Sequence, residues 1–86
     1  MKVIYKYQIK LSYEIELPIG AEIIKVGVQR DCWYLWAIID SLDIGTELRH
    51  FKIIATGEDY VPEGLKYIET FFQNNENLVW HLFEII

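Results

Sequence analysis

Polarity alternates residue by residue through the first part of this chain, and that period restricts what it can become. In Val3–Leu11 the odd positions are apolar or aromatic, while Lys6, Gln8 and Lys10 take the other side. Tyr13, Ile15 and Leu17 continue the pattern against Glu14 and Glu16. A period of two matches a β-strand, whose side chains point to opposite faces in turn, and does not match the 3.6-residue repeat of a helix. Pro18-Ile19-Gly20 then interrupts the ladder, because proline lacks a donor and glycine readily turns. Ile24, Val26 and Val28 form a further face opposite Lys25, Gly27 and Gln29, and Gln29-Arg30-Asp31 reads as a hairpin connection. Glu47 to Thr56 alternates again, with Phe51, Ile53 and Ala55 on one side and His50, Lys52 and Ile54 on the other.

Residues 65–72 can be read in two ways. Leu65, Ile68 and Phe72 fall at helical spacing, and Pro62-Glu63 could start a helix. Tyr67, Thr70, Phe71 and Phe72 favour a strand, and the polar turn Gln73–Asn77 would join it to the last run as a hairpin. The strand reading is preferred. The expectation is therefore an all-β domain over residues 1–86, an antiparallel β-sandwich or small barrel of six to seven strands with little or no helix.

Two runs break the alternation. Cys32–Ile39 and Leu78–Ile86 are apolar or aromatic on both faces. Trp33, Leu35, Ala37 and Ile39 oppose Tyr34, Trp36 and Ile38; Leu78, Trp80, Leu82 and Ile86 oppose Val79, His81, Phe83 and Ile85. A two-layer sandwich covers only the inner face of each strand. The second face needs a helix, a partner or another copy of the chain, because monomers rarely leave so large an apolar patch wet. With so little helix to spare, the pattern predicts a homo-oligomer, most simply a two-fold dimer, with Trp36, Trp80, Leu82 and Phe83 in the interface.

Size and charge narrow the function classes. At 86 residues the chain is one domain, and its 52% hydrophobic content helps offset the small core such a length allows. A net charge of −5 argues against a nucleic-acid polymer as partner, since phosphate backbones need clustered Lys and Arg. The single cysteine, Cys32, rules out an internal disulfide and suits a reducing cytoplasm. No apolar run approaches the roughly 20 residues of a membrane-spanning helix, and the start MKVIYKYQIK lacks a signal-peptide core. A cytoplasmic protein without membrane attachment is expected.

Signatures of catalysis are missing. His50 and His81 sit in no HExxH-type pattern, no CxxC accompanies Cys32, and neither GxGxxG nor a P-loop occurs. Cys32 next to Trp33 in an apolar run suits packing rather than nucleophilic chemistry. The pairs Glu14/Glu16 and Glu58/Asp59 read as solvated charges, and Ser12 and Ser41 lack a nucleophile-elbow context. No catalytic residue, metal ligand or cofactor is assigned. Binding residues can be ranked: Arg49, His50, Thr56 and Lys66 gather around two loop-adjacent segments, with Tyr67 beside them. An arginine clamp and an aromatic face could hold a small anionic ligand of the nucleotide type.

Taken in order, several segments carry a resemblance: Ile4-Tyr5-Lys6-Tyr7, Leu35-Trp36-Ala37, Arg49-x-Phe51-x-Ile53 with Thr56-Gly57, Leu65-Lys66-Tyr67-Ile68 with Thr70-Phe71, and Val79-Trp80-His81-x-Phe83-Glu84. Their order and spacing resemble a family of small bacteriophage and prophage proteins of about this length. The resemblance implies a phage or prophage origin and a strand over residues 65–72; it implies no activity. Three functional readings follow. The first is an accessory protein that interferes with a host process, such as defence, by contacting a host protein. The second is a sponge for a small anionic ligand, and the third a minor virion or assembly protein.

Overall fold

The structure, a computed structural model, describes residues 1–10, 13–42 and 45–86. Leu11 and Ser12, the end of the first alternating run, and Asp43 and Ile44 lie outside the described residues. Seven strands form: β1 (Lys2–Gln8), β2 (Glu14–Pro18), β3 (Glu22–Gln29), β4 (Cys32–Asp40), β5 (Thr46–Ala55), β6 (Leu65–Gln73) and β7 (Leu78–Ile85). They build two antiparallel sheets, a three-stranded one in the order β1-β4-β3 and a four-stranded one in the order β2-β5-β7-β6. No helix occurs among the described residues, and residues 65–72 are strand, as the β-branched and aromatic content required.

The alternation places the core between the sheets. Ile9, Ile15 and Leu17 are buried from the first segments, Leu35, Ala37 and Ile39 from β4, Phe51 from β5, Phe71 from β6 and Leu82 from β7. Burying each large apolar side chain of this kind contributes about 1.5–3 kcal/mol. At one end Trp33 spans the two layers. Its ring stacks on Tyr13 at 6.5 Å, meets Phe71 edge-on at 6.1 Å and lies 5.2 Å from Trp80. Both indole N–H groups donate to one acceptor, Gln73 Oε1, at 2.9 Å from Trp33 and 3.0 Å from Trp80. The amide satisfies two polar atoms that a wholly apolar layer would strand.

The third alternating segment departs from its reading. Ile24 does not join Val26 and Val28 in the core: it is exposed, and Ile23 packs inward instead. The register shifts between Ile23 and Lys25, so one extra residue sits in β3 and the phase of the alternation changes there. A second shift lies between Tyr67 and Glu69 in β6. Next to it, the Glu69 carboxylate accepts from Val26 N at 2.7 Å and pairs with Lys25 Nζ at 2.7 Å. The β3–β4 hairpin turns at Arg30 and Asp31, whose φ angles of 53° and 61° match the two left-handed positions of a tight hairpin loop.

Strand order explains where the loop Thr56–Gly64 must go. β5 and β6 both run antiparallel to β7, hence parallel to each other, and they flank β7 on its two sides. The chain leaves β5 opposite Trp80 and enters β6 opposite Ile85, so the loop has to travel the length of β7 over one face of the sheet. It takes the outer face. Gly57, at φ 90°, makes the first bend in a conformation that a side chain would strain.

Candidate functional site

That crossing covers the second face of β7. Ile54 and Phe83 point away from the core, yet they are 2% and 8% exposed. Tyr60, midway along the loop, lies 5.3 Å from Phe83, and Tyr67 on β6 meets the same ring edge-on at 5.6 Å. The cover that the sequence suggested must come from a helix, a partner or a second copy comes here from the chain itself. Phe83, expected in an oligomer interface, is flanked by these two tyrosines and has little surface left for another chain. Trp80 and Leu82 point into the core, where Leu82 is fully buried, so they offer nothing to another chain. Of the four interface candidates, only Trp36 lies on an outer face that the chain's own loop does not cover.

The outer face of the three-stranded sheet is uncovered. Register sets it out in rows: Gln8, Tyr34 and Gly27; Lys6, Trp36 and Lys25; Ile4, Ile38 and Glu22. Tyr34 and Trp36 lie 6.3 Å apart, and the Lys6 ammonium stands 4.6 Å above the Tyr34 ring while donating to Gln29 Oε1. A Cβ built on Gly27 would stand 3.8 Å from the Trp36 ring, an ordinary contact distance, so the indole lies beside this position of the neighbouring strand. Cys32, at the end of this strand, is a free and partly exposed thiol.

Beneath the crossover loop, a cavity of about 290 Å³ is lined by Ile54, Thr56, Gly57, Glu58, Tyr60, Tyr67, His81 and Phe83, among others. A chain of hydroxyl contacts runs along its wall. Thr56 Oγ1 is 2.8 Å from His81 Nε2, Thr70 Oγ1 is 2.8 Å from His81 Nδ1, and Tyr67 OH is 2.7 Å from Thr70 Oγ1. Both imidazole nitrogens are therefore occupied, which fixes the ring for either tautomer.

The five ligand candidates separate in space. Thr56 and Tyr67 share this cavity with His81, which is not one of the five. Lys66, with Tyr67 again, lies instead in a second cleft beside Arg49, Ala21 and Ile23. His50 is on neither; its Nε2 lies 3.7 Å from the Glu14 carboxylate on the outer face. Arg49 is not open to an anion. Its Nε and Nη2 donate to the two Glu84 oxygens at 2.6 and 2.7 Å, and Nη1 donates to the Ala21 carbonyl at 2.6 Å. The hydrogen bonds to Glu84, with the charges of Glu84 and Glu47, raise the guanidinium pKa above its ordinary value against the opposing effect of burial. With 17% and 13% of the two side chains exposed, the pair is a structural tie between β5, β7 and the β2–β3 connection.

A model of the family described as a domain of unknown function, DUF7352, matches residues 1–86. The chain belongs to that family. No curated protein and no solved structure matches it. In this DUF7352 domain, residues far apart in sequence meet in two pairs: Arg49 with Glu84, and Thr56 with His81. No group of three or more His, Cys, Asp or Glu side chains suited to a metal ion occurs among the described residues. No helix among them is long and apolar enough to cross a membrane.

Proposed function

We propose that this chain is a non-enzymatic binding protein of phage or prophage origin that acts in the host cytoplasm. It pairs with a second copy through the outer face of its three-stranded sheet and interferes with a host process, such as defence, by contacting a host protein. The carrying observation is that the chain covers one outer face with its own loop and leaves this one open, with Ile4 54% exposed beside Ile38, Trp36 and Tyr34.

The charge pattern of that face is self-complementary in one orientation. If a two-fold axis crosses the strands between the Trp36 and Ile38 rows, each strand lies over its own copy running the other way. Lys25 then faces Glu22 of the second copy, and Trp36 packs on Ile38. The alternative axis, along the strands, sets Lys6 over Lys25 of the second copy and is disfavoured by like charge. Pairing would also cover Lys2, Lys6 and Lys25 together with Glu22 and Asp40, a net positive charge withdrawn from a chain of charge −5. The surface left outside is strongly acidic, so the host partner is expected to present a basic patch.

Sedimentation at micromolar concentration tests the pairing. The wild type is expected to run as a dimer and Trp36→Glu as a folded monomer, since the new charge would meet an apolar surface without a partner. A wild-type monomer would remove the proposal. Capture from host lysate with wild type and Trp36→Glu then asks whether host binding depends on the dimer.

A further inference from the structure

We infer that the cavity beneath the β5–β6 crossover is a binding site for a quaternary ammonium group on a small molecule. Three aromatic rings converge there: Phe83 forms the floor, and Tyr60 and Tyr67 stand against it at 5.3 and 5.6 Å, tilted by 44° and 69°. Aromatic faces carry partial negative charge, and rings set at steep angles around one space form the cage that recognises methylated ammonium ions. The floor is rigid because Phe83 is held in a central strand and is 8% exposed. One wall is fixed by the bond from Tyr67 OH to Thr70, whereas the other, Tyr60, belongs to the loop and is 47% exposed. A ligand can therefore enter past Tyr60 without disturbing the sheet.

The charge of the lining selects the same class. No lysine or arginine borders the cavity, and its one carboxylate is Glu58. Glu58 Oε1 accepts from Ala55 N at 2.9 Å, which anchors this carboxylate at the edge of the cavity. His81 and Thr56 have spent their side-chain polar atoms on each other and on Thr70. Lys52 stands opposite Phe83 in the β5–β7 register but does not line the cavity, so no cation of the chain's own fills the cage. At about 290 Å³ the space is at the lower limit of small-molecule sites, enough for a methylated ammonium head and too small for a nucleotide.

The test is an NMR titration of the intact chain with tetramethylammonium chloride, choline and 3,3-dimethylbutan-1-ol, the uncharged carbon isostere of choline. Saturable shifts at Tyr60, Tyr67 and His81 are expected with the two cations, and binding of the isostere about tenfold weaker. Tyr60→Ala, in a loop wall outside the core, is expected to keep the far-ultraviolet spectrum and lose the binding; Glu58→Gln should weaken it. Equal binding of the isostere overturns the assignment, as does the lack of saturable shifts at millimolar cation. Retention of affinity by Tyr60→Ala overturns it equally. Neither arm depends on the dimer, which the Trp36→Glu chain separates.

Discussion

Trp80→Glu is expected to abolish folding rather than to dissociate an assembly. The indole of Trp80 packs 5.2 Å from Trp33 and shares the Gln73 acceptor with it, inside the space between the sheets. Truncating a core tryptophan costs about 3–5 kcal/mol, and Trp80, partly buried against the core, belongs at the lower end of that range. A carboxylate placed in the same position adds the cost of a buried charge without a cation beside it. A domain of this length has on the order of 5–10 kcal/mol of total stability, so the sum leaves little or no native state. Circular dichroism with thermal melting checks this: loss of the cooperative transition is expected. A folded, merely monomeric Trp80→Glu protein would show that this end of the sandwich is not the packed layer described above.

Arg49→Met comes next in size. It removes the fork that holds both Glu84 oxygens and the Ala21 carbonyl, and leaves a carboxylate that is 13% exposed without its cation. Removing one partner of a buried pair costs about 3–5 kcal/mol, and this pair, slightly open to solvent, should fall near about 3 kcal/mol. The double change Arg49→Met with Glu84→Leu should recover most of that loss, because the cost lies in the abandoned charge. Urea unfolding of the three proteins gives the comparison. If the double variant is no better than Arg49→Met, the tie to the Ala21 carbonyl matters more than the ion pair. The arginine's own titration adds a sign. Its folded pKa is raised, so its contribution is fully present below the ordinary arginine range and is lost only as pH climbs beyond it. Over neutral and mildly alkaline pH the stabilisation from this group should be flat.

What could be read from the residues follows from how local each signal is. The alternation of Tyr13, Ile15 and Leu17 and of Phe51, Ile53 and Ala55 needs no knowledge of neighbours, and the strands, the faces and the sandwich came directly from it. Ile24 was misplaced because a bulge is a property of the pairing between two strands; the amino acids on either side do not announce it. Trp80, Leu82 and Phe83 looked like an interface for a similar reason. Segments ending at Thr56 and beginning at Leu65 were legible, but the order β5-β7-β6, which forces the connection between them across β7, was not. Arg49 drew notice as one of two arginines, yet the carboxylate that occupies it lies 35 residues away. His81 is not among the binding residues ranked from the sequence, because its partners Thr56, just after β5, and Thr70, on β6, are brought to it only by the strand order.

The bond from Val26 N–H to Glu69 has a meaning beyond joining two layers. β3 is an outermost strand, paired only with β4, so an N–H that turns away from β4 faces open water and invites any extended chain to add itself. Here that donor is already taken by a carboxylate from the facing sheet, beside a bulge that twists the strand out of line. An incoming strand would have to displace a charged acceptor and gain a poorer one. At Val26 this margin of the sandwich is guarded against templated growth, a safeguard for a short chain so rich in strand-forming residues.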